Sequence, residues 1–460
     1  MPIHAVPKDG GTTYRMVTNH SAGTFSLNSM INKCHVSPSP LDNMKHVGDR
    51  LIRFRREHPD RRLIMWKADV AEAYRLLPVH PHWQLKQIVT FRDKRHVDRR
   101  NTFGGRASGA LWIAFMALVT WIAINERSIA NLIGAYVDDS FGFDDESDQL
   151  FYCPYSAFLP RSQVQLLELW DELGIPHKEK KQVSGSPLTI IGLNVDPNTM
   201  TITLPVEAKK KLVDELQVWI TKPKKGSEGK LKLKRWQTLA GWINWALNVH
   251  PWLRPALNRL YPKMSGREGP STKIWINNAV RFDLTWARDH LNTLPGTNMI
   301  ASTAWDPSDA DITLYVDACL EGMGFWYAGQ DVGYYSQVPT NAPSRIIFYY
   351  EALCALSALL HAVSTHPGKR RIVIFSDSTN TVDIFSSLRA DPVFNHLLQM
   401  AADVIMEHQI DLRVLHIAGA ENTIADAISR LQIATVLNII PTFHLSFFQP
   451  PRFPLGALEK

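Results

Sequence analysis

The sequence predicts a multidomain chain that combines α/β and α+β organisation, on three observations. At 460 residues, 45% of them apolar, it is too long for one ordinary core and has ample material for several. Its first half holds apolar, strand-like runs that break off at acids. One ends at Asp69, and another reads strand, two-residue turn, strand across residues 132–143. Its last third alternates with period two across residues 311–327. A helix around Glu351, a buried strand running to Asp377 and then a helix, and a strand–turn–helix over 412–430 follow, so strands and helices alternate.

Bulk properties narrow the partners. The net charge of +6 favours a polyanion. Cys34, Cys153, Cys319 and Cys354 lack metal-ligand spacing and read as reduced thiols of an intracellular protein, cytoplasmic or nuclear and not secreted. No signal peptide is recognisable. The longest apolar run, residues 110–124, is shorter than the ~20 residues a membrane span needs and reads as a buried helix, so no membrane is expected.

Tyr136-Val137-Asp138-Asp139 is the centre of the first half. Two carboxylates at a hairpin tip repel each other unless a cation and a further acid complete the site. An Asp-Asp surface turn is the competing reading of those four residues, and Asp69 decides between the two. An acid at one strand end and two on a neighbouring hairpin could clamp two metal ions roughly 3.5–4 Å apart, the arrangement used for in-line phosphoryl transfer.

Here the chain resembles a known family. Asp69-Val-Ala-Glu-Ala-Tyr74 is similar to motif A of reverse transcriptases and Tyr136-Val-Asp-Asp139 to motif C. The resemblance implies a right-hand polymerase of fingers, palm and thumb, using Mg²⁺ (Mn²⁺ as a substitute), two ions per active site. Asp69, Asp138, Asp139 and the Val70 carbonyl would be ligands. Tyr74 would be the steric gate whose ring leaves no room for a 2′-hydroxyl. Asp9-Gly10-Gly11 marks a hairpin resembling that of the fingers, with Lys8 and Arg15 gripping the incoming triphosphate. Only seven residues precede Lys8, so the fingers are expected to be N-terminally shortened. Residues 40–62 read as a helix with a basic outer face. Phe103-Gly104 to Ser108 resembles motif B, with Gly104 allowing close backbone approach, Phe103 beside the nucleotide and Ser108 opening a helix. Residues 166–173 read as an amphipathic helix. The motif D lysine, implied to protonate the leaving pyrophosphate, is Lys180 with Lys181 as rival. Residues 189–204 resemble the hairpin that grips the primer. Fingers and palm would span 1–205, a thumb 206–265 and a connector 266–305. The lysine-dense stretch 222–235 would be a basic loop between helices, and Trp236, Trp242, Trp245 and Trp252 read as core.

The last third resembles ribonuclease H in its retroelement form, spanning 306–432 before a tail of 433–460. Asp317, Glu351, Asp377 and Asp426 would hold two Mg²⁺ ions, and His416 would be the family's mobile histidine. The implied partners are an RNA template, a DNA primer, RNA–DNA hybrid and deoxynucleoside triphosphates. The expected activity is RNA-directed DNA synthesis with cleavage of the RNA strand of hybrids, from a retrotransposon of the LTR or tyrosine-recombinase type. A catalytically inactive relic that only binds nucleic acid is the alternative.

Overall fold

A computed structural model describes residues 1–8, 12–36, 40–129, 131–223, 229–301, 304–340 and 346–452; the side chains of residues 8, 13 and 15 lie outside the description. The chain divides into two compact units, Met1–Pro205 with Asn298–Ser302, and Val206–Thr297 with Thr303–Lys460.

The first unit is built on an antiparallel sheet in the order Val183–Gly185, Leu63–Asp69, Asp139–Asp145, Leu132–Tyr136. Helices Ser108–Asn125 and Arg161–Glu172 contribute to the core that covers it, where Trp66, Ala68 and Val70 meet Trp112, Met116, Val164, Leu167 and Trp170. A Cβ on Gly142 would overlap the Trp66 ring, so that ring lies over the neighbouring strand only because that position is glycine. Asp144 is buried and accepts from Trp66 Nε1 (3.0 Å), Asn131 Nδ2 (3.2 Å), Ser162 Oγ (2.7 Å) and Ser162 N (3.0 Å). The last bond satisfies an unpaired N–H in the first turn of Arg161–Glu172, a helix without a side-chain cap of its own. Burial raises the Asp144 pKa, and the four donors oppose the shift.

The helix Ser108–Asn125 corrects one expectation. It does not disappear into the core: it buries a stripe of Ser108, Trp112, Met116, Val119 and Ala123, and leaves Leu111, Leu118 and Trp121 exposed. Ser108–Asn125 and Ile347–Thr365 are both long and apolar enough to cross a membrane by length and composition, but the second is mostly buried in its own unit. The helix expected over 40–62 spans Met44–Glu57 and carries Arg50, Arg53, Arg55 and Arg56. Arg55 is spent on structure, donating to the carbonyls of Pro59, Arg61 and Pro197.

The second unit has a six-stranded sheet. In space the strands run Asp411–His416, Arg371–Ser376, Ile312–Ala318, Gly322–Tyr327, Val332–Gln337, His444–Phe447. The first three are parallel to one another, and the two connections between them pass through helices. Ile347–Thr365 packs across the sheet through Tyr349, Leu353, Leu356 and Leu359. Helices Val206–Thr221, Leu233–Ala246 and Asn278–Thr293 belong to this same unit. The last of these helices, with residues 258 and 259, is tied to the C-terminal part by a buried polar network. Arg259 Nη1 meets Asp283 Oδ1 at 2.6 Å, Gln399 donates to the same oxygen at 3.0 Å, and Asn258 donates to Asn395 Oδ1 at 2.8 Å.

Two further expectations need correction. Of the four tryptophans read as core, Trp236 is fully buried, but Trp242 is exposed and Trp245 and Trp252 are half-buried. The tail, to which the sequence pattern assigns no element, also contributes to the sheet. His444–Phe447 pairs in parallel with Val332–Gln337 and forms the sixth strand. Part of the basic loop, residues 224–228, lies outside the described residues.

Two candidate acidic sites

The N-terminal site forms where the strand Leu63–Asp69 ends. Asp69 faces Asp139 across the ladder, and Tyr136 faces Asp139 across the hairpin. The turn is Val137-Asp138, so Asp138 sits at its tip and Asp139 opens the returning strand. Val137 has a φ of +59°, rare for a β-branched residue and a sign of local strain. Trp112 Nε1 donates to its carbonyl at 2.9 Å and holds the turn in place. Val70 N donates to Asp138 O at 3.3 Å, which brings the residue after Asp69 against the tip.

The three acids are partly compensated. Lys181 Nζ lies 2.5 Å from Asp69 Oδ1. The Asp139 pKa is raised, chiefly by burial, with Asp138 and Asp69 adding to the shift and Lys67 and Lys181 opposing it. Both lysines expected near this site sit on one 3₁₀ turn, Glu179–Lys181; Lys181 reaches Asp69, while Lys180 is exposed. Three residues per turn separate the directions of adjacent side chains enough to account for the difference.

Tyr74 lies on a short 3₁₀ turn after Glu72, whose φ is +61°. Its ring meets Phe103 edge-on at 4.6 Å between centroids, and burial followed by the Asp138 charge raises its pKa. Gly104 has a φ of +95° and its Cβ position is 3.3 Å from Thr18 O, so the loop passes there only as glycine. Asn28 grips that loop at two points, donating to Gly104 O at 2.9 Å and accepting from Arg106 N at 2.7 Å. Ser108 Oγ donates to Asn101 Oδ1 at 2.7 Å. Lys8 and Arg15 fall on paired strands, Ile3–Lys8 and Thr13–Thr18, but their side chains and the turn at 9–11 lie outside the described residues.

The C-terminal site is assembled by the mixed sheet. Asp317 lies on a central strand, Glu351 on the helix across it, and Asp377 one residue past the next parallel strand. One oxygen from each falls within 4.8 Å of the others. Asp317 and Glu351 are buried, and Glu351 Oε2 has no hydrogen-bond partner. Burial, then the charges of Asp317 and Asp377, push the Glu351 pKa up to about 9. Burial raises Asp317 to about 6, against a hydrogen bond from Ser429 Oγ at 2.5 Å. A buried carboxylate with one unpaired oxygen, gathered with two further carboxylates, is a donor set that suits a hard divalent cation.

Asp426 stands outside this close group. It lies on the helix Thr423–Ser429 and pairs with Arg430 at 2.7 Å, although its charge contributes to the upward shifts of Asp317 and Glu351. His416 is exposed at the end of its strand, in register with Ser376, the residue before Asp377.

Against solved structures, the chain is similar to a foamy viral protease-reverse transcriptase dRH in complex with double-stranded DNA. The identity is 17% over 90% of this chain and 65% of that one, with a TM-score of 0.48. The foamy viral protease-reverse transcriptase with RNA/DNA hybrid gives 18%, 90%, 50% and 0.48, and its complex with double-stranded DNA gives 17%, 98%, 78% and 0.45. The chain thus spans less than two thirds of the first of these proteins and half of the second. No protein-family model and no curated protein matches it.

Proposed function

We propose that the chain is an RNA-directed DNA polymerase that also cleaves the RNA strand of RNA–DNA hybrids, an intracellular enzyme of a retrotransposon. The observation that carries this reading is the presence, in one basic chain, of two separate acidic clusters at strand ends. Asp69 lies opposite Asp139 beside Asp138, and Asp317 is gathered with Glu351 and Asp377. The sequence order of motifs A, B and C supports it. In this reading Asp69, Asp138, Asp139 and the Val70 carbonyl hold divalent cations in the first site. Asp317, Glu351 and Asp377, joined by Asp426, hold them in the second. Bound Mg²⁺ or Mn²⁺ supplies positive charge that offsets the phosphates and acidifies the attacking oxygen.

The chain's own groups do the rest. Lys8 and Arg15 bind the triphosphate. Tyr74, braced by Phe103, excludes a 2′-hydroxyl by volume. Lys180 or Lys181 delivers a proton to the pyrophosphate, and in this structure Lys181 is the one within reach of the acids. His416 moves a proton at the edge of the second site. Fingers and palm occupy 1–205, thumb and connector 206–305, and the nuclease 306–432.

Primer extension on poly(rA)/oligo(dT), alongside cleavage of an RNA–DNA hybrid, tests the reading. Both activities are expected from the full chain, extension lost in Asp138→Asn and cleavage lost in Asp377→Asn. Extension that survives Asp138→Asn would remove the polymerase assignment.

A further inference from the structure

The end of the strand carrying Asp69 presents a backbone problem. Val183–Gly185 pairs with Leu63–Asp69 only as far as Val183 opposite Lys67, because the chain before it curls into the turn Glu179–Lys181. On that side no strand of the sheet reaches Asp69 to take its N–H and C=O, and the nearest backbone pairing is a single antiparallel bridge one residue on, Val70 to His177; an unsatisfied peptide at a partly buried strand end is costly. The Gln182 side chain takes both. Its Oε1 accepts from Asp69 N at 3.3 Å and its Nε2 donates to Asp69 O at 3.1 Å, so the amide stands in for a missing peptide unit. The second Nε2 hydrogen goes to Lys178 O at 3.2 Å, and the Gln182 main chain is held by Glu179 O at 2.9 Å. Gln182 is 8% exposed. Its neighbour Lys181, with a side chain 43% exposed, holds the carboxylate of the same aspartate. One turn therefore grips Asp69 twice, on the main chain by a buried amide with three bonds and on the side chain by an ammonium that has room to swing away.

We propose that Gln182 is a positioning residue of the N-terminal acidic site. Its amide fixes the main chain of Asp69, so that the Asp69 carboxylate and the Val70 carbonyl stay directed at a divalent cation shared with Asp138 and Asp139 once Lys181 gives way. This rests on the reading of Asp69 as a metal ligand. Few side chains can replace it. Glutamate accepts but cannot donate, methionine does neither, and asparagine is a methylene too short to reach both atoms.

The test uses the full chain in an Asp317→Asn/Asp377→Asn background, which leaves the N-terminal acids as the principal site. Mn²⁺ binding is followed by electron paramagnetic resonance for that parent and after adding Gln182→Met, Gln182→Asn or Asp69→Asn. Circular dichroism melts define temperatures at which each variant is folded. Groups that orient a metal ligand through hydrogen bonds typically change metal affinity about 10–100-fold. Gln182→Met is therefore expected to weaken Mn²⁺ binding about tenfold or more, and Gln182→Asn by less. In the chain with all four C-terminal acids intact, the Mg²⁺ concentration for half-maximal extension should rise by a similar factor. Primer–template affinity and hybrid cleavage should not change, and excess Mg²⁺ should restore extension. A purely structural role would lower the melting temperature without moving the metal midpoint, and that result overturns the proposal. If Asp69→Asn itself binds Mn²⁺ like the parent, the metal-site reading has failed instead. If Gln182→Met does not fold, Gln182→Asn decides alone.

Discussion

The two acidic clusters solve the same electrostatic problem in opposite ways. In the N-terminal unit the carboxylates sit at a strand end and a hairpin tip, with Lys181 in contact and Lys67 near enough to oppose the upward shift of Asp139. In the C-terminal unit Asp317 and Glu351 are buried against Asp377. Burial and mutual repulsion raise their pKa values to about 6 and about 9. The first site holds its charge with a removable protein cation, and the second gives up charge by holding a proton on Glu351. A divalent cation entering the first must displace an ammonium, and one entering the second must displace a proton. The difference follows from position: a hairpin tip leaves room for lysines, whereas a helix laid across a sheet does not.

Exchanging the acids for amides should separate the two sites most sharply. Asp69→Asn is expected to reduce extension by at least about 10²-fold and Asp377→Asn to reduce cleavage as much, by analogy with the loss of one group that stabilises transition-state charge. Each should leave the other activity within about twofold. Loss of both activities from either substitution would make the comparison meaningless.

Under the proposed reading the first site also has a nucleotide side, built on Tyr74 and Phe103. Replacing Tyr74 by Ala removes the ring braced on Phe103, and is expected to relax discrimination against ribonucleotides by about 10–10²-fold, the scale of a steric contact. Single-nucleotide incorporation with matched deoxy- and ribonucleotides measures it.

Glu351 sharpens the proton half of the contrast. In the metal-free chain its pKa is raised from 4.5 to about 9. Between those values the folded state holds a proton that the unfolded state releases, so stability falls as pH rises through that window and levels off above it. Glu351→Gln removes this titration. It should abolish cleavage yet stabilise the metal-free second unit by about 1–2 kcal/mol at pH 8, the scale of a buried polar group relieved of its penalty. Denaturant melts at pH 5 and pH 8 check it, and the gain should shrink at the lower pH.

Lys181→Met gives the smallest effect on metal binding. Losing a half-exposed ion pair is worth about 0.2–1 kcal/mol, so metal affinity at the first site should tighten by no more than about fivefold. Titration of Mn²⁺ in the background without the second site reads it directly.

The acids were legible because each interrupts an apolar run, and a charge at a strand end has few structural uses. Asp69, Asp138 and Asp139 lie together, as do Asp317, Glu351 and Asp377. Asp426 was less legible, because its pairing with Arg430 four residues on is a local helix contact that sets it apart from the other three. The supporting side chains left no signal. Gln182 follows a lysine pair with nothing to mark it, and Asn28 and Asp144 act across 76 and 18 residues. The strand His444–Phe447 was missed because four residues between prolines are too few to show alternation, and its place comes from the parallel edge it joins. The choice between Lys180 and Lys181 depended on a 3₁₀ turn that no pattern in Glu179-Lys180-Lys181 announces.

The most direct measurement is paired. One preparation of the full chain, and its Asp138→Asn and Asp377→Asn variants, should be assayed for primer extension on poly(rA)/oligo(dT) and for cleavage of an RNA–DNA hybrid in Mg²⁺. The two-site account predicts that the unaltered chain does both, that the first variant only cleaves and that the second only extends. Extension undiminished in Asp138→Asn, or cleavage undiminished in Asp377→Asn, would contradict it.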